Sequence, residues 1–94
     1  MATVTFGDEF EWDDAKAASN IAKHGVTFVE GVSALADRGA VAFADARHAS
    51  RTLTLGISER LRVLLVLTTE AANRTRIISA RRATPAERAL YTEG

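Results

Sequence analysis

Arg76-Ile77-Ile78-Ser79-Ala80-Arg81-Arg82, followed at once by Ala83-Thr84-Pro85-Ala86-Glu87, reads as a strand that hands directly to a helix. The paired isoleucines favour an extended, buried segment with arginines at both ends. Thr84 can cap free backbone N–H groups and Pro85 suits a first helical turn. Glu87 sits where a capping-box carboxylate reaches back. The junction thus sets guanidinium groups and an acid on a rigid scaffold, with Tyr91 four residues beyond Glu87.

Upstream of this junction the apolar residues alternate. Val41 and Phe43 mark a strand ending at Asp45, and Leu53, Leu55 and Ile57 alternate with Thr52, Thr54 and Gly56 in the next. Arg62–Thr68 is almost wholly apolar, as in a central strand covered on both faces. Ser58–Leu61 and Glu70–Asn73 are connections of hairpin length. With Arg76–Arg81 these make four strands in a row, most simply an antiparallel meander. Alternation puts Arg76 and Arg81 on opposite faces unless a bulge or the strand end turns one of them.

The first half reads differently. In the short acidic stretch Phe6–Asp13, Phe10 and Trp12 alternate against Glu9, Glu11 and Asp13, which predicts an edge strand or an extended lead-in. Asp13 or Asp14 then caps a helix through about His24, with Ala15, Ala18, Ile21 and Ala22 as its apolar stripe. Gly25 is placed to end it in the left-handed conformation, with Lys23 and His24 in the last turn. Thr27 and Glu30 form a second capping box and open a helix to about Asp37, with Phe28, Val32 and Leu35 on one face. The expected fold class is α+β: two N-terminal helices, a four-stranded mainly antiparallel sheet and a C-terminal helix, in a single domain over 1–94.

Composition narrows the function classes. Hydrophobic residues make up 47% and charged residues 26% of the chain, as in ordinary globular domains. No window approaches the ~20 apolar residues of a membrane span and no signal-peptide pattern opens the chain, so a cytoplasmic location is expected. The lack of cysteine excludes disulfides and thiolate chemistry. The net charge of zero hides a division: residues 1–46 carry three basic and eight acidic side chains, residues 47–94 nine basic and four acidic. Every cation in the second half is arginine, suited to planar contacts with phosphate or carboxylate. Both a surface of internal ion pairs and an anionic ligand fit this division.

Specific tokens sit on this order of elements. Phe10-Glu11-Trp12-Asp13 precedes the first helix, with Lys16 three residues on, and Asn20 and Lys23-His24-Gly25-Val26 close it. Phe28 opens the second helix, and Arg51 leads a strand ending Leu55-Gly56-Ile57-Ser58. Arg76–Arg81, Ala83-Thr84, Glu87-Arg88 and Tyr91 complete the set. From Phe10 to Tyr91 the chain resembles the BrnT family, the toxin halves of bacterial type II toxin–antitoxin pairs. The resemblance implies a RelE/ParE-like fold and a ribonuclease that shuts down translation. It also implies a BrnA-like ribbon-helix-helix antitoxin as partner, and operator DNA bound only through the toxin–antitoxin complex.

Metal-free RNA cleavage needs a base for the ribose 2′-hydroxyl, an acid for the leaving 5′-oxygen, and cations for charge growing on the phosphate. His24 and His48 alone have ordinary pKa values suited to both proton roles near neutrality. Arg51, Arg76 and Arg81 are candidate phosphate clamps, with Lys23 as a point-charge equivalent. Glu87 and Tyr91, four apart on one helix face, can position a base or join a proton relay. The expected catalytic set is Lys23, His24, Arg51, Arg81, Glu87 and Tyr91. Each has a structural alternative: Lys23 and His24 as complements of a helix terminus, Glu87 as a cap, Tyr91 as a core-edge aromatic. Scattered acids and two histidines give no ligand spacing for a metal, so no cofactor is expected. Two other function classes stand beside the nuclease: a toxin-like binding module acting as co-repressor with its antitoxin, and a ParE-like gyrase poison.

Overall fold

A computed structural model describes residues 2–93. The elements in chain order are β1 (Thr3–Phe6), β2 (Phe10–Asp13), α1 (Asp14–His24), α2 (Phe28–Leu35), β3 (Val41–Ala44), β4 (Arg51–Ile57), β5 (Val63–Ala71), β6 (Arg74–Arg82) and α3 (Pro85–Glu93). Most local signals act as their chemistry dictates, but the capping box expected at Thr27 and Glu30 is only half formed, because the Glu30 carboxylate turns to Ser58 and Arg62 instead. The Asp13 carboxylate accepts from the Lys16 N–H, the Thr27 hydroxyl accepts from the Glu30 N–H, and Gly25 closes α1 at φ 66°.

The four-stranded sheet expected from sequence is corrected to a six-stranded mixed sheet in the order β1-β2-β6-β5-β4-β3. β3 to β6 do form the antiparallel meander. β1 and β2 are added as a hairpin across Gly7, which has φ 62°. β2 then lies parallel to β6 through Phe10↔Thr75 and Glu11↔Arg76. This pairing joins residues at opposite ends of the chain, so no local pattern announces it, and β1 and β2 have only four residues each.

The sheet is covered on both faces. Alternation along β5 sends Leu64 and Val66 to one side, where they join Trp12, Val26, Phe28, Ala34, Ile77 and Ala80 beneath α1 and α2. Leu65 faces the other way and packs with Leu55, Ala83 and Tyr91 under α3. Burying these side chains supplies the main driving force for folding, about 1.5–3 kcal/mol for each large one. Glu30, 2% exposed, is held by the Ser58 hydroxyl and by two bonds from Arg62, fixing α2 to the β4–β5 turn. These bonds, led by those from Arg62, hold its carboxyl below the usual range.

The apolar stripe expected on α1 is also corrected. Ala15, Ala18, Ile21 and Ala22 all face solvent, Ile21 at 48% exposure. The helix instead rests on half-buried Ala17 and buried Asn20. Asn20 Nδ2 donates to the Ala80 carbonyl at 2.7 Å and to the Val26 carbonyl at 2.9 Å, while its Oδ1 accepts from the Ala80 N–H at 3.1 Å. The carboxamide thus behaves as one residue of a neighbouring strand, placed where β2 no longer accompanies β6.

Gly56 marks the closest approach of α2 to the sheet: a Cβ there would lie 2.1 Å from the Ala34 carbonyl oxygen. Gly56→Ala must push backbone apart, and it is expected to cost about 3 kcal/mol or more in urea unfolding. An unchanged midpoint would show that α2 does not seat on β4 in this way.

Candidate active site

The functional side chains are organised by β6 and by an irregularity within it. Leu67 pairs with Ser79 but Thr68 pairs with Ile77, so Ile78 is an extra residue in the ladder. The bulge resets the alternation. Arg81 stands opposite Leu65 and Arg76 opposite Thr69, and these two β5 residues share a face. Arg76 and Arg81 therefore lie on the same side of the sheet, the side α3 partly covers. Arg51 also pairs with Thr69, so Arg51, Thr69, Arg76 and Glu11 form one row across four strands. Arg74 follows on the same face, and among the described residues its buried Nε has no hydrogen-bond partner.

The guanidinium groups on this face differ in engagement. Arg76 donates to Glu11 from the adjacent strand. Arg81 makes two parallel bonds to Glu87, at 2.8 and 2.9 Å. The same Glu87 carboxylate accepts from the Thr84 N–H at 2.8 Å, while the Glu87 N–H donates to the Thr84 hydroxyl at 3.2 Å, completing the capping box of α3. The Arg81 bonds, followed by those from Thr84, hold the Glu87 carboxyl at about 2, and Glu87 in turn pushes Arg81 upward. Near neutrality Glu87 is therefore a fixed anion with no proton to give and little affinity for one. Its role is to hold Arg81.

Beyond the free edge of β6 one face of α1 bounds a cavity of about 340 Å³. Lys16, Ser19, Asn20, Lys23 and His24 line it from the helix, and Ile78 and Ser79 from the bulged strand. The spacing 16, 20, 23, 24 places these helical residues on one face. Asn20 aims that face: its bonds to Ala80 bring the last turn of α1, with Lys23 and His24, alongside the residue preceding Arg81. The cavity is open, cationic and supplied with an imidazole.

The expected residues divide accordingly. Lys23 and His24 share the cavity, whereas Arg81, held by Glu87, projects from the sheet face that α3 partly covers and follows directly on Ala80, the residue Asn20 grips. Arg51 lies two strands away and four residues further along the sheet, about 13 Å on at ordinary strand rise. Tyr91 points elsewhere: its hydroxyl donates to Asp37 at 2.6 Å, and Asp37 also accepts from the N–H groups of Ile57 and Gly39. The bond to Asp37 raises the Tyr91 hydroxyl pKa, and the Ile57 N–H, then Tyr91, lower that of Asp37. Tyr91 thereby pins α3 to the loop after α2 and meets neither histidine. His48 is an exposed loop residue. Lys16, Ser19 and Ser79 were missed as cavity residues. The helical spacing of Lys16 to Lys23 was the available signal, whereas nothing in the sequence locates the bulge that exposes Ser79.

Glu87 links this site to stability in a defined pH window. Its folded-state pKa of about 2 lies below the ordinary 4.5. The stabilisation is therefore complete above about pH 4.5 and disappears as pH falls toward 2. Because Arg81 is 36% exposed, solvent screening trims it to about 1 kcal/mol. Glu87→Gln is expected to lose that amount at pH 7 and less at pH 3, measured by denaturant unfolding; an equal deficit at both would remove the carboxylate from the explanation.

Comparison with known proteins agrees with this architecture. Residues 12–87 match the family model described as the ribonuclease toxin BrnT of type II toxin–antitoxin systems. Among solved structures, the 1.1 Å crystal structure of the Brucella abortus ribonuclease toxin BrnT superposes with a TM-score of 0.64 at 29% identity, covering 78% of this chain and 92% of that one. No curated protein matches the sequence. The chain belongs to the BrnT family of ribonuclease toxins, whose partners are protein antitoxins.

Proposed function

We propose that the cavity between α1 and β6 is where RNA is cut, without a metal ion, and that its scissile phosphate lies between Lys16, Lys23 and Arg81. The observation that supports this reading is the Asn20 clamp on Ala80, which sets an imidazole and two ammonium groups against Ile78 and Ser79 of β6, with Arg81 the next residue along the strand after Ala80. Among the described residues no three His, Asp or Glu side chains converge as a metal-binding group. Proton transfer then falls to His24. Its neutral ring nitrogen takes the 2′-hydroxyl proton as the 2′-oxygen bonds to phosphorus. The bond from phosphorus to the 5′-oxygen breaks, and water at the open mouth protonates the departing oxygen. The products are a 2′,3′-cyclic phosphate and a 5′-hydroxyl. Lys16, Lys23 and Arg81 offset charge growing on the phosphate oxygens, with Arg81 exchanging Glu87 for the substrate anion. Arg51, Arg74 and Arg76 extend the basic surface along which the RNA backbone continues.

Family membership also supports a BrnA-like ribbon-helix-helix antitoxin, contact with operator DNA through that complex alone, and a cytoplasmic setting. A second reading, a weak nuclease that serves mainly as co-repressor, draws on one feature. Both Arg76 and Arg81 are already engaged by carboxylates.

Incubation of single-stranded RNA with purified protein in EDTA separates these readings. Cleavage with cyclic-phosphate ends is expected, falling roughly 10²- to 10⁴-fold in His24→Ala. In Arg81→Ala, RNA binding should weaken and the salt slope should flatten by about one charge. Wild-type rates in His24→Ala would sink the assignment of the proton carrier. An inert wild type that tightens the antitoxin's hold on operator DNA would favour the second reading.

A further inference from the structure

The sheet edge farthest from β1 has two features that cleavage does not use. β3 is the last strand and pairs only with β4. The Asp45 N–H donates to the Arg51 carbonyl at 3.1 Å. Antiparallel alternation from that point turns the backbone groups of Val41 and Phe43 toward β4 and those of Ala42 and Ala44 outward. The edge carries no lysine, proline or bulge of the kind that guards exposed strands. Beside it, Val41 and Phe43 face Leu90 of α3 across an apolar hollow of about 440 Å³, rimmed by Glu93. Phe43 is 38% and Leu90 55% exposed, both large for apolar side chains in a small domain.

We infer that this edge is a docking site for an extended segment of the antitoxin, which pairs with Ala42 and Ala44 as an added strand. Free backbone groups on a strand specify an extended partner, and the adjoining hollow specifies apolar residues at alternate positions. Charge specifies the rest. Arg38 precedes β3 and Arg47 and His48 follow it, all exposed. The Asp45 carboxylate accepts from the Arg47 N–H at 3.0 Å. Acidic side chains at both ends of the incoming strand complement this pattern. A second copy of the chain does not: two-fold pairing through one edge is antiparallel and self-complementary. Centred on Phe43, it would bring Arg38 of one copy close to Arg47 of the other, cation beside cation. The inference rests on the family's protein partner and is independent of the cleavage chemistry.

The test uses the full chain and the antitoxin expressed from its paired gene. Ala42→Pro removes an outward N–H while leaving the β3–β4 ladder intact. Leu90→Glu places charge in the hollow. Each is expected to weaken antitoxin binding at least tenfold in titration calorimetry, with RNA cleavage in the absence of antitoxin and the thermal melt unchanged. In the wild-type complex, hydrogen exchange at the Ala42 and Ala44 amides should slow at least tenfold, and this measurement decides the matter should a variant fold poorly. Wild-type affinity in both variants together with unchanged exchange would overturn the inference. So would a toxin that self-associates alone and is split by Ala42→Pro with antitoxin affinity intact, since the edge would then belong to a second copy. A wild type that leaves RNA uncut fails the cleavage reading alone, and the binding data still decide the edge.

Discussion

The bidentate grip of Asn20 on the backbone of Ala80 is the constraint on which the rest of the site depends. A strand edge left by its neighbour has a donor and an acceptor that must be satisfied, at a cost of roughly 1–3 kcal/mol each when buried unpaired. A helix can meet that need only with a side chain presenting both groups in one plane, and Asn20 does so while also binding the Val26 carbonyl. This settles the height and rotation of α1 over β6. Lys16, Lys23 and His24 follow because they lie on the same helical face.

The charge division between the two halves of the chain is partly spent within the fold. Glu11 and Glu30 from the acidic half meet Arg76 and Arg62 from the basic half, one pair across β2–β6 and the other between α2 and the β4–β5 turn. Glu30 is buried, so its pair fixes geometry more than it adds stability. Among the described residues, the cations without a carboxylate partner are placed in a way that composition cannot show. Lysines stand on α1 beside the cavity, and Arg51 and Arg74 stand on the open sheet face.

Much of the fold was legible because its signals are local. The caps at Asp13, Thr27 and Thr84, the left-handed Gly25 and the alternation of β4 each involve residues within a few positions of one another. What escaped depends on distance along the chain or on shape. β2 meets β6 through residues such as Glu11 and Arg76, 65 positions apart, and Tyr91 finds Asp37 across 54. Hydrophobic periodicity misplaced the buried side of α1 because a carboxamide mimicking backbone is polar by every scale. The faces of Arg76 and Arg81 turned on one extra residue at Ile78, which two adjacent isoleucines do not betray.

Glu87 performs two tasks with one carboxylate, closing the first turn of α3 and clasping Arg81. No residue of α3 is fully buried, so the helix relies on such tethers and on Tyr91 for its seat. In the proposed cleavage step Arg81 leaves Glu87 for a phosphate, and the helix would then give up one of its moorings, one turn before Leu90. Thermodynamic reciprocity then requires the converse: whatever clamps α3 in place makes Arg81 harder to draw away, so restraint of the helix and capture of the nucleic acid oppose each other without sharing a single atom of surface.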